Sequence, residues 1–428
     1  MIPPFQLRLS AVLALGGCLL ATANPATGKP AAEVSAGTEG IGDLCEWMSS
    51  KPGTLYKNAE NPLLQELVLG GRVQWQAAYF TGSDVNGYDF SDEYTELRRF
   101  RIEPSAAFLR YFKVKAGINL ATDTRFEPGG ELDWGYKDFD EALLTLDVRK
   151  AFGIDHVDAL SITYGRHRVS VGQEVHTTTK ELLTIERSAI ANKAHGSTRP
   201  TGFSVNVAKG PWSVTGGVFS TDEGFPSGNN EFLGGWNDGL AYYTSLSFKQ
   251  SEDLVFIFDF LYNDAAATRG EDSLWTFGWS SSLAADYDAG PWGVLVNAFY
   301  GDNGGADNGV VRPDRAGDFW GLVAMPHVWI VGEKLEAVLR YQYAGSSAAQ
   351  GLRTNSRYFR ADHGPVADVN DGRGNEHQAL YAGLNYYFCG HNLKVQSGVE
   401  YDWVNSPGTG IDGESAAFTW WFGFRSFF

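Results

Sequence analysis

The feature of the sequence that most constrains its fold is an alternation of apolar and polar residues in long segments from Leu67 onward. In the first segment Val73, Trp75, Ala77 and Tyr79 alternate with more polar neighbours. A period of two is typical of a β-strand with one apolar and one polar face. Sixteen such segments can be placed, starting near Leu67, Glu93, Ala107, Asp138, Asp158, Pro200, Pro211, Asp238, Asp253, Leu274, Pro291, Ala316, Glu333, Asn375, His391 and Glu414.

The connections between these segments alternate between long and short. Long ones include Thr81–Asp92, Thr122–Lys137, Ser170–Arg199 and Ser346–Gly374; short ones include Pro104–Ala106 and Lys209–Gly210. Outer-membrane barrels have an even number of strands, short periplasmic turns and long outer loops, whereas a soluble sandwich gives no reason for such sorting. We therefore predict a closed, all-β transmembrane antiparallel barrel of about 16 strands over residues 67–428, with both ends of the chain in the periplasm.

The last segment is unusually aromatic on one face. Phe418, Trp420, Phe422, Phe424 and Phe428 share that face, and only Ser426 interrupts the series. An exposed aromatic edge strand would aggregate in water, but in a barrel this face meets lipid and the edge pairs with the first strand. A terminal aromatic strand resembles the signal that the outer-membrane assembly machinery reads. We expect Phe424 and Phe428 to carry that signal.

The N-terminal residues read as an export signal. Arg8 precedes the apolar stretch Leu9–Leu20, and Ala21-Thr22-Ala23 is a small-residue cleavage site, which predicts a signal peptide over residues 1–23. A lipoprotein signal ending at Cys18 is the alternative. Residues 24–66 differ in composition from the rest and are interpreted as a periplasmic extension with a short helix near Asp43–Ser50.

Two cysteines remain after residue 23, Cys45 and Cys389. Both are periplasmic in the predicted topology, and the periplasm is an oxidising compartment. A disulfide between them and a pair of free or buried thiols are both consistent with the sequence.

The composition argues against several other classes of protein. The mean hydropathy is -0.23, so the chain is not a bundle of apolar membrane helices. The formal net charge of -17 argues against nucleic acid as a partner. The eight histidines lack metal-ligand spacing, and no catalytic constellation emerges, so we expect neither an enzyme nor a cofactor. Residues 368–372, Asp-Val-Asn-Asp-Gly, suit an outer polar loop better than a calcium site.

Four basic residues lie within strand-like segments. Arg99 and Arg101 share one face of the second segment, and Lys113 and Lys115 share the polar face of the third. A charge on the lipid face costs about 2–4 kcal/mol at the membrane midplane, so these residues are expected to line the lumen or a rim. Such a wall favours anions. The alternative is that they pair with lumen carboxylates such as Glu96 and Glu103.

The region around the third long connection resembles the phosphate-selective porin O and P family. That family has a Gly-x-x-Lys-x-Pro-Phe-Gly-x-Glu stretch, a Thr/Ser run and a closing Glu-Arg-Ser. The matching residues are Gly165-Arg166-His167-Arg168, Val171-Gly172-Gln173-Glu174, Thr177-Thr178-Thr179-Lys180 and Ile185-Glu186-Arg187-Ser188, and Arg98-Arg99-x-Arg101 is similar to an early arginine-rich strand. Ser170-Val171 stands where the family has Pro-Phe, and Arg168 where it has lysine.

The resemblance implies a water-filled, trimeric barrel whose third loop folds inward and narrows it. On that basis Arg166, Arg168, Lys180 and Arg187 are expected at the constriction. We predict an outer-membrane porin of a Gram-negative-type bacterium that passes small hydrophilic solutes, with a preference for anions such as phosphate. Its expected partners are membrane lipid, two further copies of itself and the assembly machinery. The alternatives are a non-transport barrel (an adhesin, scaffold or membrane enzyme) and, more weakly, a soluble exported β-protein.

Overall fold

The computed structural model describes residues 39–121, 134–196, 199–221, 236, 239–264, 274–304, 306–307, 310–311, 313–353, 367–407 and 413–428. The chain divides into two units, Met1–Gly42 and Asp43–Phe428. Only residues 39–42 of the first unit are described, so the predicted signal peptide and the cleavage site lie outside the described residues. Among the residues described, no helix is long and apolar enough to cross a membrane.

The second unit is a barrel. Its sixteen wall strands are β2 (Leu64–Ser83), β3 (Asp89–Phe108), β4 (Phe112–Ala121), β5 (Trp134–Asp147), β6 (Ala159–Arg166), β7 (Thr201–Lys209), β8 (Trp212–Ser220), β9 (Leu240–Lys249), β10 (Leu254–Asn263), β11 (Trp279–Ala289), β12 (Trp292–Asp302), β15 (Asp318–Val331), β16 (Leu335–Ser346), β19 (Glu376–Tyr387), β20 (Leu393–Ser406) and β21 (Gly413–Phe427). The short strand β1 (Thr54–Lys57) pairs with the N-terminal end of β2. Two-residue strands lie in the outer loops: β13 (Ala306–Asp307), β14 (Val310–Val311), β17 (Leu352–Arg353) and β18 (Arg373–Gly374).

The described helices are short. They are α1 (Glu39–Ser49), α2 (Val148–Phe152), α3 (Gln173–His176), α4 (Ala189–His195) and a 3-10 turn at Asn370–Gly372. The first overlaps the helix predicted near Asp43–Ser50, beginning four residues earlier and ending at Ser49.

Each wall strand is antiparallel to its neighbours, and β21 pairs with β2 from Arg72↔Phe427 to Ser83↔Ala416, which closes the barrel. The prediction of a closed barrel of about 16 strands is confirmed. The largest errors in the predicted strand starts, five residues, are at Ala107, where β4 begins at Phe112, and at Leu274, where β11 begins at Trp279. Period-two alternation fixed the strands well because each wall has one apolar and one polar face.

The connections are sorted between the two rims. Short turns, such as residues 109–111, 210–211 and 290–291, lie at one rim, and residues 167–200, 221–239 and 347–375 connect strands at the other. The first outer connection is shorter than predicted. β2 and β3 continue through most of Thr81–Asp92, and residues 84–88 form a tight turn because the Asp84 carboxylate accepts hydrogen bonds from the backbone N–H of Asn86 and Tyr88, both at 2.9 Å.

The outer face of the wall is apolar and has aromatic residues toward both rims. Trp212 and Trp292 are exposed beside short turns, and Tyr242, Tyr262 and Tyr300 are exposed toward the long loops. Aromatic girdles of this kind mark the two interfaces of an outer membrane. The inner residues of the same strands, such as Ala78 and Phe80 of β2, are buried inside the barrel.

Cys45 of α1 and Cys389, in the turn between β19 and β20, are joined by a disulfide, with their Cα atoms 4.8 Å apart. Of the two interpretations that the sequence left open, the structure has the bridge.

Candidate functional site

The third long connection, residues 167–200 (the third loop), folds into the barrel interior. Gly165 and Gly172, at φ of 129° and 94°, turn the chain inward at its start. The Ser188 side chain caps α4, accepting from the N–H of Ala191 at 3.3 Å. The apolar side chains of the loop form a buried core with the inner face of the wall; its members include Val169, Val171, Val175, Ile190, Ala191, Ala194, Phe219, Leu261, Phe299, Phe319 and Val323.

Three cations on wall strands in the C-terminal part of the chain bind the third loop and hold it against the wall. Arg340 of β16, 3% exposed, binds Glu174 at 3.2 Å and the carbonyl of Glu186 at 2.7 Å, and also pairs with Glu400 of β20 at 2.8 Å. Arg425 of β21 donates to the carbonyl of Thr179 at 2.8 Å and to that of Ile185. Lys394 donates to the carbonyl of Leu182 at 2.8 Å. Since loop carbonyls lack strand partners, these donors satisfy groups that would be costly to bury.

Other polar side chains of the wall complete the docking surface. The backbone N–H groups of Gly172, Gln173 and Ala189 donate to Asp259, Asn297 and Gln342 at 2.9, 2.8 and 2.7 Å. These wall residues belong to β10, β12 and β16. The loop therefore occupies one side of the lumen, from the long-loop end of β8, where Phe219 lies, around to β2, which we call the filled side.

The opposite side of the lumen, β4 to β8, carries small polar residues. The hydroxyl oxygens of Thr145 in β5 and Thr163 in β6 are hydrogen-bonded at 2.9 Å, and the Asn206 side-chain amide donates to the Ser213 hydroxyl at 3.1 Å. These residues are only partly buried although they lie on the inner face, whereas their outward neighbours Phe203 and Val214 are exposed on the lipid face. We call this set the open wall: Thr145, Ser161, Thr163, Ser204, Asn206, Ser213 and Thr215. The geometry leaves the aqueous path between the third loop and this wall.

Among the described residues, two carboxylates each bind two cations where the third loop meets β3 and β5. Glu103 of β3 binds both Arg72 and, at 2.7 Å, Lys180 of the loop. Asp140 of β5 binds both Arg101, at 2.7 Å, and Arg199, at 3.2 Å. Two carboxylates thus hold four cations, which we call the cation cluster: Arg72, Arg101, Lys180 and Arg199.

The other wall cations named from the sequence lie near the cluster or toward the short-turn rim. Arg99 donates to Gln74 Oε1 at 2.8 Å, and Arg98, its neighbour, pairs with Glu186 of the loop at 2.6 Å. Lys115 pairs with Glu141 at 2.7 Å. Lys113 is exposed on β4, opposite Thr145 of β5. The sequence left two interpretations of the basic residues, a wall that favours anions and pairing with lumen carboxylates. Both apply in part, because some cations pair with carboxylates and the cation cluster holds more cations than the two carboxylates that bind them.

The remaining loop cations face the same region. Arg187 donates to the carbonyls of Glu174 and, at 2.9 Å, Thr177, so its charge is held by backbone rather than by a carboxylate contact. Burial, together with the charges of Arg168 and Arg199, lowers the pKa of Arg187 to about 9. Burial likewise lowers the pKa of Arg168, with Arg199 adding to the effect. The positive charges of Arg168, Arg187 and Arg199 therefore lie close to one another in the third loop.

Arg166 lies elsewhere than predicted. It is the final residue of β6, where it pairs with Ala142 and Thr201, and so belongs to the wall rather than to the constriction loop. Its side chain is partly buried. The loop begins after Arg166 because the strand ladder continues to that residue.

Several functional residues were not singled out from the sequence. Arg72 lies on the polar face of β2 with Gln74 and Gln76, so its inward position could have been found from alternation. Arg340, Arg425 and Lys394 also alternate inward, but their partners lie in the third loop, far away in sequence. Phe424 lies on the outer face of β21, and the Phe428 ring lies 6.4 Å from that of Trp47. Among the described residues, no group of three or more His, Cys, Asp or Glu could hold a metal.

Comparison with known proteins finds a family that resembles part of this chain and solved structures that share its fold. Residues 68–245 match the model of the family "phosphate-selective porin O and P". No curated protein matches the sequence significantly. Among solved structures, the anion-selective porin from Comamonas acidovorans superimposes with a TM-score of 0.54 at 11% identity, covering 85% of this chain and 99% of that one.

Two further solved structures share the fold. OmpT, an outer membrane protein of Vibrio cholerae in its trimer form, gives a TM-score of 0.52 at 11% identity, over 85% of this chain and 99% of its own. Pseudomonas putida OprB gives 0.52 at 12% identity, over 84% and 94%. These likenesses support the fold, and the family match points to a channel rather than an enzyme. The predicted resemblance and the predicted outer-membrane location are both confirmed: the chain is an outer-membrane porin whose residues 68–245 match the model of the phosphate-selective porin O and P family.

Proposed function

We propose that this porin admits small hydrophilic solutes and favours anions, phosphate among them, over cations. The observation that carries the proposal is the cation cluster, in which Glu103 and Asp140 hold four cations between the third loop and β3–β5. Charges this close to the path act on every passing ion, whereas surface charges more than about 10 Å away are largely screened at 0.1 M salt. The acidic total of the chain therefore does not oppose a local preference for anions.

The same proposal covers the assembly of the protein. The cleavage of residues 1–23, the recognition of Phe424 and Phe428 by the assembly machinery and a homotrimeric state are consistent with export to the outer membrane. The trimer form of a structure with the same fold supports the last of these. Chemical cross-linking in intact outer membranes tests the trimer, and a ladder that stops at the dimer would contradict it.

Planar-bilayer recording under a KCl gradient tests the anion preference. The reversal potential of the wild type should have the sign of chloride permeation. Lys180→Gln removes one charge of the cluster and leaves Glu103 bound to Arg72. We expect it to reduce the anion-to-cation permeability ratio by about twofold to fivefold, since a unit charge at close range in water contributes about 1 kcal/mol or less.

The matched control is Lys57→Gln, which removes the same charge from β1, where the side chain is 74% exposed at the periplasmic rim. It should leave the reversal potential unchanged. A wild-type potential of the opposite sign would overturn the anion preference and keep the pore; an absence of conductance would overturn both.

A further inference from the structure

The barrel has one boundary between wall strands that are not consecutive in sequence. β2 and β21 adjoin there, with a ladder from Arg72↔Phe427 to Ser83↔Ala416. All other adjoining wall strands are linked by the segment of chain that connects them. This boundary, the seam, is held by hydrogen bonds and side-chain contacts, so it is where the sheet can open without stretching a connection.

The periplasmic end of the seam is crossed by residues 45–57, which we call the strap. On one side the strap is fixed to β2. Its strand β1 pairs with β2 through Lys57↔Glu66 and Thr54↔Val68, and the N–H of Leu69 donates to the carbonyl of Gly53 at 2.8 Å. The approach at Gly53 is close: a Cβ there would lie 2.0 Å from the carbonyl oxygen of Leu69, so the position requires glycine.

On the other side the strap is fixed to β21 and to the turn before β20. The Trp47 ring lies 6.4 Å from the Phe428 ring. The Asn392 side chain donates to the carbonyl of Met48 at 3.0 Å, while its own carbonyl accepts from the N–H of Phe427, also at 3.0 Å. The disulfide from Cys45 to Cys389 then joins the strap to the same turn. The strap thus spans from β2, across the end of β21, to the start of β20.

We propose that the strap is a covalent latch on the seam, closed by oxidation after β21 has paired with β2. The chain runs unbroken from Cys45 into β2, and Cys389 lies just before β20, so the bond limits how far β2 can separate from β20 and β21. The order follows from the contacts. Cys45 is held beside Cys389 by Trp47 and Met48. The ring partner of Trp47 is Phe428, which directly follows β21, and Asn392, the partner of Met48, accepts from the N–H of Phe427, so this set of contacts is complete once β21 is in place.

The closing reaction is a thiol oxidation. The Cys45 and Cys389 thiols each lose a proton, one sulfur–sulfur bond forms, and two electrons pass to a disulfide-carrying oxidant of the periplasm, whose own disulfide is reduced to a dithiol. An oxidising periplasm supplies such oxidants. In this order of events, the disulfide forms after the seam has closed.

The test is the rate at which the purified, folded porin loses its compact form on gels at a fixed high temperature. Reduction of the folded protein, and separately Cys45→Ser with Cys389→Ser, should speed that loss about tenfold or more, since a bond that joins distant parts of the chain slows complete opening. Conductance and ion preference should stay unchanged. Trp47→Ala with the disulfide intact should have a smaller effect in the same direction.

A matched pair of new bridges separates a latch on the seam from a general cross-link. In the doubly Ser-substituted chain, Val73→Cys with Ser426→Cys places a bridge across the seam, where the two residues pair. Val296→Cys with Ala324→Cys places a bridge across β12 and β15. These two strands also pair, but they are consecutive wall strands and therefore do not form the seam. Only the first bridge should restore slow unfolding. Equal rescue by both bridges, or equal rates for the oxidised and reduced wild type, would overturn the proposal.

Discussion

The two sides of the barrel interior share the same alternation of inward and outward residues but form opposite environments. On the filled side, inward residues such as Asn297, Gln342 and Gln396 are at most 2% exposed and bind the third loop. On the open wall, inward residues such as Thr163 and Thr215 keep accessible surface. The period of the sequence determines which residues face inward. The size and hydrogen-bonding capacity of those residues determine whether they hold a loop or face water.

The difference explains how a sixteen-stranded barrel becomes a selective pore. A barrel of this size leaves an aqueous channel unless something fills it. Here the third loop covers the filled side with an apolar core and buried cations, and it brings Lys180 toward Glu103 of β3. The open wall offers neither large side chains nor charges, so the electrostatic character of the path is set by the loop and by β3 and β5.

Arg340→Ala should produce the largest effect and would abolish the contrast between the two sides. Arg340 is 3% exposed and is the common partner of Glu174 in the loop and Glu400 in the wall. Removing one member of a buried ionic network leaves the others uncompensated and costs about 3–5 kcal/mol. We expect a loosened third loop, higher single-channel conductance, weaker ion preference and a lower temperature of unfolding.

The control for this variant is Arg353→Ala. Arg353 pairs with Asp371 at 2.9 Å in an outer loop, where the two side chains are 45% and 54% exposed. An exposed pair contributes about 0–1 kcal/mol, so stability and conductance should stay close to wild type. Equal effects of the two substitutions would show that the loop is not held by the buried network.

Gly321→Ala and Gly117→Ala compare the two sides with the same added methyl group. At Gly321 of β15, a Cβ would lie 2.5 Å from Ile190 Cγ1 of the third loop and 2.7 Å from the carbonyl oxygen of Tyr343. At Gly117 of β4, the nearest atoms would be 3.7 Å away, an ordinary contact. Overpacking costs about 1–3 kcal/mol, so the first variant should unfold at a lower temperature and expose the third loop to protease.

Gly117→Ala should match the wild type in both measurements. If it were as destabilised as Gly321→Ala, the open wall would be packed against something that the geometry does not show, and the comparison of the two sides would fail.

The strands and the family could be predicted from the sequence because both are local signals. Period-two alternation located β2 from Val73 to Tyr79, and Ile185-Glu186-Arg187-Ser188 marked the third loop. The predicted strand boundaries were less accurate where a strand continues beyond its alternating apolar residues. β3, for example, begins at Asp89, inside a stretch with the composition of a polar loop. Arg166 was assigned to the constriction from the motif Gly165-Arg166-His167-Arg168, and a motif does not show at which of its residues the strand ends.

The docking of the third loop could not be predicted, because its partners are distant in sequence and many are backbone atoms. Arg425 binds the carbonyl of Thr179 across 246 positions, and Arg340 binds that of Glu186 across 154. Any inward cation could reach any carbonyl of a loop whose path is unknown. The pairing of Glu103 with both Arg72 and Lys180 is of the same kind, because it depends on where the loop crosses the lumen.

Lys115→Met should give the smallest effect and sharpens the comparison at the edge of the open wall. Lys115 pairs with Glu141 at 2.7 Å, a distance as short as those in the cation cluster, but its side chain is 46% exposed. Water already solvates the lysine, so losing this pair should cost about 0–1 kcal/mol and leave the unfolding temperature nearly unchanged. The anion preference should fall less than in Lys180→Gln, because Lys115 lies against the open wall and outside the third loop. A loss of stability comparable with that of Arg340→Ala would mean that the ion pair beside the open wall also supports the barrel, and that solvent exposure does not separate the two sides.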